Sequence, residues 1–382
     1  MSAEADLLAG HLTLRLGGEP AIACERPMVG QAMMRRLTEG RRAALLPDLI
    51  GTVFALGAAA QRSTARRAVA AAFDLHDAEP AAASDRLLVA LATAREHLQR
   101  FALDLPSRVP LAGMAQPDAG WLRDAPLQGL PARPEGQAAT LLRSASASLP
   151  VWLERRVLGL PAQEWLQRWQ AAPEAWLDEW SAQRDHPLAA WLRGVRSAAR
   201  AVTLPCRPLP LLAAGEPGLR TLAASLAADP DFAEQPLWQG LAAETGPWTR
   251  HGRSVDSAEA TDGLSLWQRL GARLADLVQL SLGGSLACGA LTLAPGEGIA
   301  WTEMSRGLLV HWVRLEDGPQ APDTARAAAY RVLAPTEWNF HPHGALAEAL
   351  RSRRLDATQA RLAAAALDPC IHFDIAEEPA HA

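Results

Sequence analysis

The sequence predicts a mostly helical α+β fold with small antiparallel sheets. Three observations predict it. Residues 308–315 alternate: Leu308, Val310 and Trp312 face one way and Leu309, His311 and Val313 the other, in an apolar run with β-branched and aromatic members, as a strand requires. Several longer stretches (47–73, 84–101, 137–200 and 345–367) carry helical spacing instead. Hydrophobic residues make up 49% of the 382 residues and charged ones 21%, ordinary for a globular protein with ample core.

In chain order, residues 11–16 alternate Leu12, Leu14 and Leu16 against His11, Thr13 and Arg15, a strand with one buried face. Gly17-Gly18 suits a hairpin turn into a second strand at 21–24. A helix is predicted over 28–39, ended by Gly40. Pro47 opens a long helical stretch to 73. Arginines 35, 36, 41, 42, 62, 66 and 67, set against Glu39 and Asp48, read as a solvated helix face or as a docking patch for an acidic partner. Ser84 is placed to cap a helix over 84–101. Residues 103–134, rich in Pro and Gly, read mostly as loop.

Residues 137–200 are helical and dense in tryptophan. Trp165/Trp169 and Trp176/Trp180 are i,i+4 pairs flanked by Trp152 and Trp191, and Pro161, Pro173 and Pro187 cut the stretch into short helices. Such spacing belongs to core or a partner interface before a ligand site. Cys206 lies in a Pro-rich stretch read as a structural loop, 261–282 as a helix, and Gly283-Gly284 as a turn into a strand over 286–293 that holds Cys288 as a small buried residue. After the strand at 308–315, Glu316-Asp317-Gly318 is a turn signal and 329–333 a partner strand. A last helix over 345–367 stops before Pro369 and delivers Asp368-Pro369-Cys370. One domain over 1–382 is expected, with an N-terminal hairpin and helices (1–101), a Trp-rich middle (137–200) and a C-terminal motif region (284–382). The helices over 47–73 and 345–367 are expected to be neighbours.

The net charge of −5 argues against a general nucleic-acid binder. All 37 basic residues are arginine, a permanently charged, fork-shaped donor. Four scattered cysteines, Cys24, Cys206, Cys288 and Cys370, make neither a disulfide framework nor a C-x-x-C zinc site. No signal-peptide pattern and no run of eighteen apolar residues is present, so a cytoplasmic protein with reduced thiols and no membrane partner is expected.

Three short words stand in order near the end: Glu303-Met304-Ser305-Arg306-Gly307, Pro335-Thr336-Glu337-Trp338-Asn339 and Asp368-Pro369-Cys370. They resemble the E-x-P-R-G, P-T-x-W-N and D-P-C-x-x-C-x-x-H words of the nickel–iron hydrogenase large subunit, and Gly10-His11-Leu12 resembles its G-H-L entry. The departures are informative. Phe373 stands for the second cysteine and Ala376 for the histidine. Leu56-Gly57-Ala58-Ala59 falls where the family carries I-C-G-x-C, so Leu56 and Ala59 replace both cysteines. The chain therefore looks like a degenerate relative, similar to hydrogenase maturation scaffolds of the HupK/HoxV type.

In that family four thiolates hold nickel and an iron bearing two cyanides and one carbon monoxide. Thiolates suit such soft metals. The resemblance implies that Cys370 is at a terminal metal-ligand position, that Arg306 donates to one cyanide, and that Pro335 and Thr336 contact the other. One cysteine cannot build a bimetallic centre, so no hydrogenase catalysis and no nickel are expected. The implied function is a scaffold that transiently carries the iron–cyanide–carbonyl group, with Cys370 as thiolate and Cys24 as a second one if the N-terminal hairpin packs close. Implied partners are a small maturation chaperone and the hydrogenase large-subunit precursor. A metal-free pseudo-subunit that binds maturation proteins is the alternative. Without the terminal histidine, no clipping of the tail is expected. Arg306 could instead pair with Glu303, Asp317 or Asp368. His311 reads as hydrogen-bonded scaffold, and His341 and His343 as an exposed loop pair that could chelate a metal.

Overall fold

The structure, a computed structural model, describes residues 10–25, 30–75, 79–111, 119–251, 261–316 and 323–377. Its N-terminal hairpin pairs β1 (His11–Leu16) with β2 (Ile22–Glu25) in antiparallel register. Helices α1 (Gln31–Thr38), α2 (Leu46–Val53), α3 (Ala58–Ala72) and α4 (Glu79–Gln99) follow. The expected start at Met28 lies outside the described residues.

The stretch 47–73 is two helices, not one. Between them Gly57 takes a left-handed φ of 74°, which an L side chain resists. Ser84 lies inside α4, not at its cap, because that helix begins at Glu79. Beyond α4 the chain widens into a π turn at Arg100–Asp104 and closes with a helical turn at Leu105–Arg108, inside the stretch read as loop.

The tryptophan-rich middle folds as α5 (Gln137–Leu153), α6 (Ala162–Ala171), α7 (Pro173–Gln183) and α8 (Pro187–Ala201), the last three each opening at or just after a proline. Trp165, Trp169, Trp176, Trp180 and Trp191 are buried in the main core, with Trp165 at the centre of stacked and edge-on ring pairs. The belt is core.

Cys206 ends a strand, β3 (Thr203–Cys206), not a loop. After helix α9 (Gly215–Ala228), β3 pairs with β4 (Thr261–Ser265). The helix expected over 261–282 thus loses its first five residues to β4, and α10 (Leu266–Ser281) starts at a Ser265/Gln268 capping box. Of the sixteen residues of α10, fourteen are buried, so it is a central helix. It packs against α4, α6 and α7.

A four-stranded antiparallel meander follows: β5 (Cys288–Ala294), β6 (Glu297–Met304), β7 (Gly307–Leu315) and β8 (Ala327–Leu333). Strand β6 was not foreseen, because Glu297 to Met304 carries weak alternation. Asp317 and Gly318 of the expected turn lie outside the described residues. Alanine-rich α3 lies close on this sheet; a Cβ at Gly298 would sit 2.4 Å from the Ala68 carbonyl oxygen.

The chain ends through α11 (Pro335–Asn339), α12 (Ala345–Arg351), α13 (Ala357–Leu367) and β9 (His372–Glu377). The expected helix over 345–367 is broken at Arg353, at φ 52°, and restarts at an Asp356/Gln359 capping box. Its main partners are α10 and β9, and those of α3 are the meander and α2, so the two stretches expected to adjoin pack chiefly elsewhere. Strand β9 pairs in parallel with β1, which makes the N-terminal sheet mixed rather than antiparallel.

Candidate functional site

The three words converge. Ser305 and Arg306 form the tight turn between β6 and β7, Thr336 sits in the first turn of α11, and Cys370 follows the end of α13. The Thr336 hydroxyl donates to the Cys370 thiol sulfur at 3.2 Å and accepts the Cys370 backbone N–H at 3.3 Å. Pro335 starts α11 and is buried beside it, and Cys370 itself is half-buried. Arg306 is 2% exposed and feels the Cys370 sulfur electrostatically.

Asp368 organises the charge. It caps α13 at a left-handed φ of 57°, tolerated by Asp better than by most residues, and is fully buried. Arg100 Nε lies 2.8 Å from it, Arg273 Nη1 2.9 Å and Arg306 Nε 3.7 Å. Burial alone would raise the Asp368 pKa, but Arg100, Arg273, Arg306 and Arg108 hold it below the usual carboxylate range. The opposite strain falls on Arg108 and Arg273, which burial pulls down. Burial, then neighbouring Arg100, pulls the Arg108 guanidinium down to about 10. The π turn at Arg100–Asp104 aims Arg100 inward while Asp104 takes its other end at 2.7 Å.

Glu96 on α4 is the second organiser. It accepts the Gly57 N–H at 2.9 Å, the Ser305 hydroxyl, and Arg306 Nη1 at 3.1 Å. One carboxylate thereby sets the break between α2 and α3 against the β6–β7 turn, where a Cβ on Gly57 would meet the Met304 methyl at 2.4 Å. Leu56 is exposed there and Ala59 partly buried. Of the pairings open to Arg306, the structure makes that to Asp368, adds Glu96, and gives Glu303 to Arg250 instead.

Around Asp368 stand Arg100, Arg108, Arg273 and Arg306, which also feel Glu96, Asp104 and Asp276, and of these arginines it is Arg306 that feels Cys370. Arg306 Nε, Arg273 Nε and Nη2, and Arg100 Nη2 are buried without a hydrogen-bond partner of good geometry. Buried guanidinium N–H groups without good acceptors are chemistry that can take an anion. Phe373, at the second-cysteine position, is buried on β9 with Arg108 5.2 Å over its ring. Cys24 is exposed on the sheet-edge strand β2, with β1 between it and β9, so the structure does not bring it to Cys370.

The remaining letters of the words are structural. Asn339 clasps the Thr245 backbone both ways, at 2.9 and 2.8 Å, and the Leu308 N–H donates to the Thr245 hydroxyl. Gly307, at φ 130°, lets the turn pass: a Cβ would sit 2.7 Å from the Thr245 carbonyl carbon. His311 bonds Tyr330 Oη at 2.7 Å and Gln61 Oε1 at 2.9 Å, a scaffold histidine as expected. His341 is buried, not exposed, and its Nδ1 accepts the His343 N–H, which spends that nitrogen within the loop. Arg35, Arg62, Arg66 and Arg67 all pair with Asp231, Asp48 or Asp85, and since Asp85 is buried and Arg67 nearly so, the segment is partly an internal ion-pair network and not the solvated helix face of the expectation.

Sequence reading missed Glu96, Arg100, Arg273 and Thr245. The available signal was in α10, where Arg269 and Arg273 stand at i,i+4 spacing among apolar residues; both are fully buried.

None of the family models compared with the chain matches it. The chain is 40% identical over 386 residues to the hydrogenase expression/formation protein HoxV of Cupriavidus necator, covering 96% of this chain and 95% of that one. It is 32% identical over 391 residues to the hydrogenase expression/formation protein HupK of Rhizobium leguminosarum bv. viciae, covering 96% of each. Among solved structures it is similar to the Ni-Fe-Se hydrogenase from D. vulgaris Hildenborough, with a TM-score of 0.50 over 88% of this chain and 90% of that chain. At 15% identity that likeness speaks for the fold alone, the one expected from the three words. With both expression/formation proteins matched along nearly their whole length, the chain belongs to the HoxV/HupK family of hydrogenase expression/formation proteins.

Proposed function

We propose that this protein serves hydrogenase maturation as a non-catalytic scaffold that holds an iron–cyanide–carbonyl group as cargo at Cys370, without nickel, and yields it to a hydrogenase large-subunit precursor. The observation that carries the reading is the Thr336–Cys370 contact beside Arg306, with buried guanidinium N–H donors left without partners nearby. A cyanide on iron is an anionic acceptor. Fixed, always-charged donors bind it without having to reorganise. The Cys370 thiolate supplies the soft donor, Thr336 orients the sulfur, and Pro335 fixes the first turn of α11 beneath it. Buried Phe373 at the second-cysteine position supports a site for one thiolate. A carrier must be loaded and unloaded, so a small maturation chaperone and the large-subunit precursor are the proposed partners.

Infrared spectra of anaerobically purified protein test this. Cyanide and carbonyl bands are expected in the wild type and lost in Cys370→Ser, with the fold retained because the hydroxyl replaces the thiol at Thr336. Cys370→Ser protein that keeps the bands and still supports maturation would refute the role of this residue. A wild type that lacks the bands yet captures the large-subunit precursor would establish the metal-free binding module instead.

A further inference from the structure

A second ligand set lies on the solvent side of β9, the strand that follows Cys370. His11 on β1 and His372 on β9 are register partners in the parallel pair, and Asp374 is two residues past His372. Side chains two apart share a strand face, so all three project from the same side of the sheet. Leu12 and Phe373, the alternate residues, point into the core. His11 Nε2 is 3.3 Å from one Asp374 carboxylate oxygen and His372 Nε2 is 3.5 Å from the other; the two rings lie 5.4 Å apart at 34°. The three ligand atoms all fall within 4.8 Å of one another, the one such group of metal-capable side chains among the described residues.

These separations are long for hydrogen bonds, which run about 2.7–3.2 Å for nitrogen to oxygen. The two nitrogens face different oxygens of the one carboxylate, and the three groups lie close enough for one ion with bonds of about 2.0–2.2 Å to draw them together through small side-chain rotations. Two imidazoles and a carboxylate from one sheet face are a ligand set for a borderline divalent ion, not for a hard, all-oxygen one. Glu25 of β2, the register partner of His11 on its other side, continues the same row and adds negative charge. The site is open to solvent: the side chains are 26%, 51% and 63% exposed. A fourth position is therefore available to water or to a ligand from another molecule.

We propose that His11, His372 and Asp374 bind one divalent transition-metal ion, Zn²⁺ in the first instance, clamping the C-terminal strand β9 onto the N-terminal strand β1. The clamp lies two residues past Cys370, so it restrains the segment that carries the thiol without using it. This site is independent of the proposed cargo.

Equilibrium dialysis of tag-free protein against Zn²⁺ alone, with thermal unfolding in parallel, tests it. One ion per chain is expected, with a rise in Tm, because an ion that binds only the folded state stabilises it. Affinity is expected to fall about tenfold or more in His372→Ala and Asp374→Asn, exposed positions whose replacement leaves the core intact, and to be unchanged in Cys370→Ser. Absence of saturable binding, binding unaltered in His372→Ala, or binding lost in Cys370→Ser would each overturn the proposal.

Discussion

At the scale of the residue, Asp368 is a buried carboxylate shared among several arginines. One buried carboxylate stands against Arg100, Arg273, Arg306 and Arg108. Its neutral isostere would leave those guanidiniums with only Glu96 and Asp104 to offset Arg306 and Arg100, and breaking a buried ionic group by removing one partner costs about 3–5 kcal/mol. Asp368→Asn is expected to lower the urea midpoint by that free energy, whereas Asp374→Asn, exposed on β9, is expected to leave it nearly unchanged without metal. Equal midpoints for Asp368→Asn and wild type would mean that solvent or an anion already compensates the arginines. The Asp-Pro-Cys word thus has a structural duty that its resemblance to a metal-site word does not reveal: Asp368 holds the arginines and Pro369 stops the helix, which leaves Cys370 to face Thr336.

At the scale of the element, strand β9 is where the two ends of the chain meet. All six of its residues are register partners of β1, and Phe373 and Leu12 are buried side by side on the core face. A chain truncated after Ile371 is expected to lose this pairing and to leave β1 held only by β2. Hydrogen exchange would show it, with the amides of residues 11–16 losing protection while those of α10 keep theirs. Unchanged protection in β1 would mean that the hairpin with β2 is sufficient by itself. Helix α10 is the opposite case, a central element buried nearly all round, whose two inward arginines find their carboxylate partners outside the helix: Arg269 in Glu244 at 3.0 Å and Arg273 in Asp368.

Over the whole molecule, buried neutral histidines set the acid side of the stability profile. Burial holds His311 down to about 3, and burial with Arg184 holds His186 down to about 4. Both bind a proton near pH 6.5 once unfolded. Their folded pKa values are depressed, so the unfolded chain takes up more protons as pH falls below about 6.5, and stability falls with it by about 1.4 kcal/mol per pH unit for each histidine. Asp368 has the opposite timing: its contribution is present above its unfolded pKa of about 4 and is lost only as the pH drops further toward its folded value. Denaturation midpoints are therefore expected to decline between pH 6.5 and 4. His311→Gln is expected to remove one histidine's share of the slope, whatever it does to the stability at pH 7. A slope equal to that of wild type would show that His311 is protonated in the folded state. No helix among the described residues is long and apolar enough to cross a membrane.

Local pattern determined much of this protein. The alternation of β1 and β7 and the proline-punctuated helices of the middle were legible from neighbours in sequence, while the fold class drew also on the resemblance carried by the three words, which are themselves short runs of adjacent residues. What escaped reading was set by distant partners. The breaks at Gly57 and Arg353, the strand β9 pairing with the far end of the chain, and the carboxylates that hold Arg306 all depend on contacts across many residues; Glu96 lies 210 positions from the arginine it binds. Charge in a buried site is satisfied by proximity in space, and proximity in space between α4, α10, the β6–β7 turn and the end of α13 is what only the packed molecule decides.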